Sequence, residues 1–130
     1  MSATNNDKLL KLALRVFGVI FLLVYPVSIV WPSGWVWHGG EGYYYFQMIV
    51  GIYAVLGIFL ILAAGNPSEH RSLISFTIWS SVVHAAIMAV QAIGDENETG
   101  HLVGDVPALL IVAAVLWWLS RPAGQSAQEP

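Results

Sequence analysis

His84 lies near the middle of Leu73–Asp95, a stretch long and apolar enough to cross a bilayer. Set at about 100° per residue, Thr77, Ser80, Ser81, His84, Met88, Gln91 and Asp95 fall within a roughly 100° arc, and Trp79, Val83 and Val90 lie outside it. Lipid cannot satisfy such a polar stripe, so it must face protein, water or a ligand. An imidazole there could relay a proton, hold a polar ligand or ligate a buried metal. The plainer reading is a neutral His84 bonded to a Ser or Thr of a neighbouring helix, fastening the bundle. Gln47, near the outer end of the second apolar stretch, is expected to meet Gln91, Asp95 or Asp105. Met88 is read as packing rather than as a ligand.

A second constellation lies outside the apolar stretches. His38 and Glu41 precede the second span, Asp95 and Glu96 end the third, and His101 and Asp105 open the fourth. His101 and Asp105 are spaced i,i+4, so on a helix they share one face and could hold one ion together. Two imidazoles with carboxylates suit a divalent transition metal, with His38, Glu41, His101 and Asp105 as its ligands. The competing reading is a solvated acidic rim, with Asp105 favoured by the positive N-terminal end of the fourth helix. No HExxH signature is present, and Ser80 with His84 lacks the partners of a hydrolytic triad.

The elements that position these groups follow from composition. Of 130 residues, 57% are hydrophobic and 10% charged, with a mean hydropathy of +0.68. A soluble domain carries roughly a quarter charged residues. The absence of cysteine excludes disulfides, thiolate metal sites and cysteine nucleophiles. No glycine-rich phosphate loop and no basic–aromatic patch is present, which points away from nucleotides and nucleic acid.

Four apolar spans are predicted, at about 9–30, 44–64, 73–94 and 101–119, in one all-α domain covering residues 1–121. The segment 122–130 reads as a polar, flexible tail. Between the first two spans, WPSGWVWHGGEGYYY places five helix-breaking Pro and Gly residues among interfacial Trp and Tyr. Gln47, Gly51 and Ala54 share a face and predict a small-residue seam on the second helix, and Ala85, Ala89 and Ala92 predict another on the third.

Charge then fixes an expected topology. All five basic residues lie in the first helix region, the 65–72 turn or just after the fourth helix. An even number of spans brings those three segments to one side, which the positive-inside rule makes cytoplasmic. Glu41, Asp95, Glu96, Glu98 and Asp105 lie opposite, with no base among them.

WPSGWVWH at 31–38, QMIVGIYAVLGIFLILAAGNP at 47–67, WSSVVHAAIMAVQA at 79–92 and HLVGDVPAL at 101–109 resemble a family of small bacterial four-helix membrane proteins catalogued as a domain of unknown function. The resemblance covers about residues 8–121. It implies four spans and a bacterial inner membrane, and it implies no activity, cofactor or site residue.

The combined expectation is an integral membrane four-helix bundle with both termini cytoplasmic and an externally open polar chamber. Gln47, His84, Gln91, Asp95, His101 and Asp105 would form that chamber, under a lid carrying His38 and Glu41. The function expected is non-enzymatic binding, or an accessory role as a homo-oligomer or within a larger membrane assembly. Two alternatives are a metal-dependent or acid–base enzyme acting on a lipophilic substrate, and a small dimeric transporter coupled to protons through His84.

Overall fold

Where the sequence runs apolar without interruption, the bilayer-compatible solution is a helix, which satisfies every backbone amide internally. The computed structural model describes residues 3–30 and 41–122, apart from the side chains of residues 3, 28, 29, 41–43, 97 and 98. It contains four helices: α1 (Ala3–Val30), α2 (Glu41–Ala63), α3 (Arg71–Gly94) and α4 (Asp105–Leu119). No strand occurs among the described residues. Four spans, Thr4–Val27, Tyr44–Ala63, Pro67–Gly94 and Thr99–Leu119, are long and apolar enough to cross a membrane, the last two counting the 3-10 turns that lead into α3 and α4, making this a multi-pass membrane protein with an all-α bundle fold.

The helix ends have local causes. α1 is helical as far as Val30, the last described residue before Glu41. α2 gives way to a short 3-10 turn, Pro67–His70, which leads directly into α3. The fourth helix begins at Asp105 rather than at about His101. Residues Glu96–Leu102 instead form a 3-10 turn, and Pro107 sits in the first turn of α4, where its missing N–H costs nothing. α1 begins at Ala3 rather than at about Leu9, so Lys8, Lys11 and Arg15 are all helical, and Lys11 pairs with Asp7 at 2.7 Å.

The helices are not evenly packed. α1 lies along α2, α3 lies along α4, and α1 also touches α4, but the backbones of α2 and α3 hardly approach one another. Going round the bundle, the order is α2–α1–α4–α3, with a gap between its two ends. The α1–α2 contact is tightest at Gly18 and Gly57. A Cβ added at Gly57 would lie 2.5 Å from the Gly18 carbonyl oxygen, and one added at Gly18 would lie 2.7 Å from that of Gly57. Gly51 has nothing within 4 Å of such a Cβ, so the close approach falls at Gly57 and not on the Gln47–Gly51–Ala54 face.

The buried core sits at the end of the bundle that carries the basic residues. Leu14, Leu60 and Leu116 are fully buried there, packed with Leu10, Ala63, Ala64, Ile74 and Ile78. A smaller cluster of Ala85, Val106 and Leu109 joins α3 to α4 towards the other end. Trp79, Val83 and Val90, outside the polar arc of α3, are exposed where lipid would cover them.

Candidate functional site

The polar stripe of α3 divides into two halves with different environments. At the basic end, Thr77 and Ser81 are buried within the packing. The Thr77 hydroxyl donates to the Leu73 carbonyl on its own helix at 2.9 Å, the usual way a membrane helix absorbs a threonine. Ser80 likewise donates to the Thr77 carbonyl at 3.3 Å. Beyond Ser81 the stripe opens. His84, Met88, Gln91 and Asp95 all line a cleft of about 840 Å³ between α2 and α3.

At the floor of this cleft, the Tyr53 hydroxyl of α2 and Nδ1 of His84 are hydrogen-bonded at 2.5 Å, and the imidazole tautomer sets which of them donates. The bond spans helices whose backbones stay apart, so it is made by two long side chains reaching across the gap. Phe21 of α1 holds the Tyr53 ring from behind, edge to face at a centroid distance of 5.1 Å. His84 is therefore met by a tyrosine, not by a serine or threonine of a neighbouring helix. The sequence expectation for α2 rests on its small and amide residues and does not include Tyr53. Its position was a usable signal: it sits mid-helix, away from the interfacial aromatic belt, where a phenolic hydroxyl needs a partner inside the protein.

Behind the Tyr53–His84 pair lies a second, smaller cavity of about 180 Å³, walled by all four helices and reaching His101 and Asp105. Nδ1 of His101 donates to Oδ2 of Asp105 at 2.5 Å, and the two side chains are 22% and 33% exposed. They pair across the link between a 3-10 turn and α4, not along one regular helix. Ile49, Tyr53, His84, Met88 and His101 line both cavities, so the tyrosine–histidine pair stands between the lateral cleft and the smaller cavity.

The expected chamber residues are thus distributed. The cleft gathers His84, Gln91, Asp95 and His101, and the interior cavity gathers His84, His101 and Asp105. Gln47 is exposed and lines neither. Asp95 closes α3, its backbone N–H donating to the Gln91 carbonyl at 3.0 Å. Of the expected metal ligands, His38 lies outside the described residues, as does the side chain of Glu41. His101 and Asp105 meet, but among the described residues no three His, Asp or Glu side chains form a group able to hold a metal ion. The Ala85–Ala89–Ala92 face packs in part against Val106 and Leu109 of α4.

What this arrangement offers chemically is a polar floor in a mostly apolar cleft. The walls include Ile52, Phe76 and Ile87, which are 69%, 62% and 53% exposed and face the lipid side. No curated protein and no solved structure matches the chain. A family model does match, over residues 4–130: the chain belongs to the family of unknown function DUF6632.

Proposed function

We propose that the protein binds a small amphipathic molecule drawn sideways from the bilayer into the cleft between α2 and α3. The observation that carries this reading is the Tyr53–His84 pair at the floor of a cleft of about 840 Å³ whose mouth is apolar and faces lipid. Ligand sites of this kind are mainly apolar, with a few placed polar groups that fix orientation. An apolar body would lie against Ile52, Phe76 and Ile87, and a hydrogen-bonding head would meet His84, Gln91 and Asp95. The role is one of binding, alone or as an accessory subunit of a homo-oligomer or larger membrane assembly. The basic ends of the helices lie in the cytoplasm, a placement supported by the segregation of all five Lys and Arg from the acidic loops. The resemblance noted above favours a bacterial inner membrane.

A photoreactive long-chain alcohol tests this. Binding in the cleft labels peptides of α2 and α3 around Ile52 and Ile87, in competition with unlabelled alcohol, and labelling falls about tenfold in His84→Leu if the head group loses one strong contact. Labelling spread evenly over the lipid-facing sides of α1 and α4, unaffected by competitor and by His84→Leu, would sink the proposal.

One observation favours a second reading. The Tyr53–His84 and His101–Asp105 pairs border a single interior cavity, which is an arrangement suited to acid–base chemistry on a lipophilic substrate. This reading requires His101→Asn to abolish turnover while leaving ligand labelling in the cleft intact.

A further inference from the structure

The opposite end of the bundle carries a cavity that the ligand cleft does not use. It measures about 530 Å³ and lies between the start of α1, the Pro67–His70 turn with the start of α3, and the end of α4. Arg71 and Arg121 both line it, together with Asn6, Ser75, Trp79 and Trp117. The third charged group on its wall, Asp7, is paired with Lys11 at 2.7 Å, so the two arginines leave the cavity with a positive balance. The Arg121 guanidinium is stacked over the Trp117 ring, 3.3 Å from its centroid, which fixes the cation before any ligand arrives.

Two further features say what kind of anion would fit. Among the described residues Oδ1 of Asn6 is a buried acceptor with no hydrogen-bond partner. Asn6 and Leu119 also border a neighbouring apolar groove of about 370 Å³, which runs between α1 and α4 past Leu12, Val16, Val115 and Trp118. A positive, aromatic-flanked pocket thus continues into a hydrocarbon groove on the lipid-facing surface. A free phosphate would use the first and leave the second empty.

We propose that this end holds one anionic phospholipid with a hydroxyl-bearing headgroup, of the phosphatidylglycerol type. Its phosphodiester lies between Arg71 and Arg121, a headgroup hydroxyl donates to Asn6, and an acyl chain follows the α1–α4 groove. Arginine suits a phosphodiester because its fork of N–H donors matches the phosphate oxygens. General attraction of anionic lipid to Lys8 and Arg15, which do not line the cavity, is a separate effect.

Native mass spectrometry of the full-length protein, released from micelles holding equal phosphatidylglycerol and phosphatidylcholine, tests the site. The expected result is one retained phosphatidylglycerol, preferred at least about tenfold, with Arg71→Gln and Arg121→Gln each lowering the preference about fivefold. Lys8→Gln leaves it unchanged, and Arg121→Lys, which keeps the charge but loses the fork and the stacking on Trp117, restores only part of it. Dihexanoyl-phosphatidylglycerol displaces the bound lipid, and inorganic phosphate at the same concentration does not. Equal retention of the two lipids overturns the proposal, as does a Lys8→Gln loss matching that of Arg121→Gln. Displacement by inorganic phosphate as effective as by the short-chain lipid also overturns it. If an arginine variant does not fold, the wild-type comparison of the two lipids and the two competitors decides alone.

Discussion

The two ends of this bundle are built on opposite principles. At the basic end, Leu14, Leu60 and Leu116 are fully buried and the four helices share one continuous core. At the acidic end, the same helices leave a cleft of about 840 Å³ and an interior cavity of about 180 Å³. The side chains at each contact account for the difference. Between α1 and α2 the contact residues are glycines, so backbones touch and dispersion contacts accumulate. Between α2 and α3 the contact is a tyrosine and a histidine, which meet tip to tip and hold their backbones apart. In lipid there is no hydrophobic drive to close such a gap, because hydrocarbon fills it as well as protein would. The packed half acts as a scaffold, and the open half is available for a ligand.

The sharpest way to break the comparison is to wedge the scaffold. Gly57→Leu places atoms against the Gly18 carbonyl oxygen and the side chain of Leu22, with backbone on one side that cannot yield. It should destabilise by about 3 kcal/mol or more in reversible unfolding from detergent into sodium dodecyl sulfate, or prevent folding altogether. Gly51→Ala, on the same helix with open space around the new methyl, should stay within about 0.5 kcal/mol of wild type. Equal effects at the two positions would mean that α1 and α2 do not cross at Gly18 and Gly57.

Truncating one leucine at each end compares the two halves directly. Leu116→Ala removes contacts on every side and should cost about 2 kcal/mol. Leu109→Ala enlarges a cavity that already exists on one side and should cost about half as much. The same unfolding assay reads both, and an inverted order would show the acidic half to be the better packed.

Bridging the gap at Tyr53 and His84 is expected to be worth less. A double-mutant cycle of Tyr53→Phe with His84→Leu should give a coupling of roughly 0.6 kcal/mol, the average for hydrogen bonds between membrane helices, and no more than about 1.7 kcal/mol. No measurable coupling would mean that the two side chains do not bond across the gap.

The architecture was legible because its signals are long. Apolar runs of helix-spanning length and the polar arc from Thr77 to Asp95 each extend over many residues, so local exceptions do not disturb them. The site was less legible because it depends on which faces meet. Tyr53 is only two residues from Gly51, but that step turns it by about 200° around the helix, onto the buried line of Val50, Gly57 and Leu60. The face of Gln47 and Gly51 points outward instead. Nothing within one helix reveals that α2 and α3, adjacent in sequence, stand apart in space. The His101–Asp105 contact was readable from spacing alone, although its backbone is a 3-10 turn and a helix start rather than one helix.

That pair supports the smallest prediction. Asp105 does two things at the start of α4: it accepts from His101 and places a carboxylate beside the unpaired N–H groups of the first turn. His101 shares the first of these with it. Because both side chains are partly exposed, the bond itself should be worth about 0.5 kcal/mol. His101→Ala should then cost that amount, and Asp105→Asn about twice as much, because it also removes the favourable helix-end charge. If His101→Ala is the costlier change, the histidine has a further structural partner and the pair is a fastening of the acidic end. If both changes are nearly neutral for stability but reduce ligand labelling in the cleft, the pair belongs to the binding apparatus, and the open half of the bundle extends past the Tyr53–His84 pair to α4.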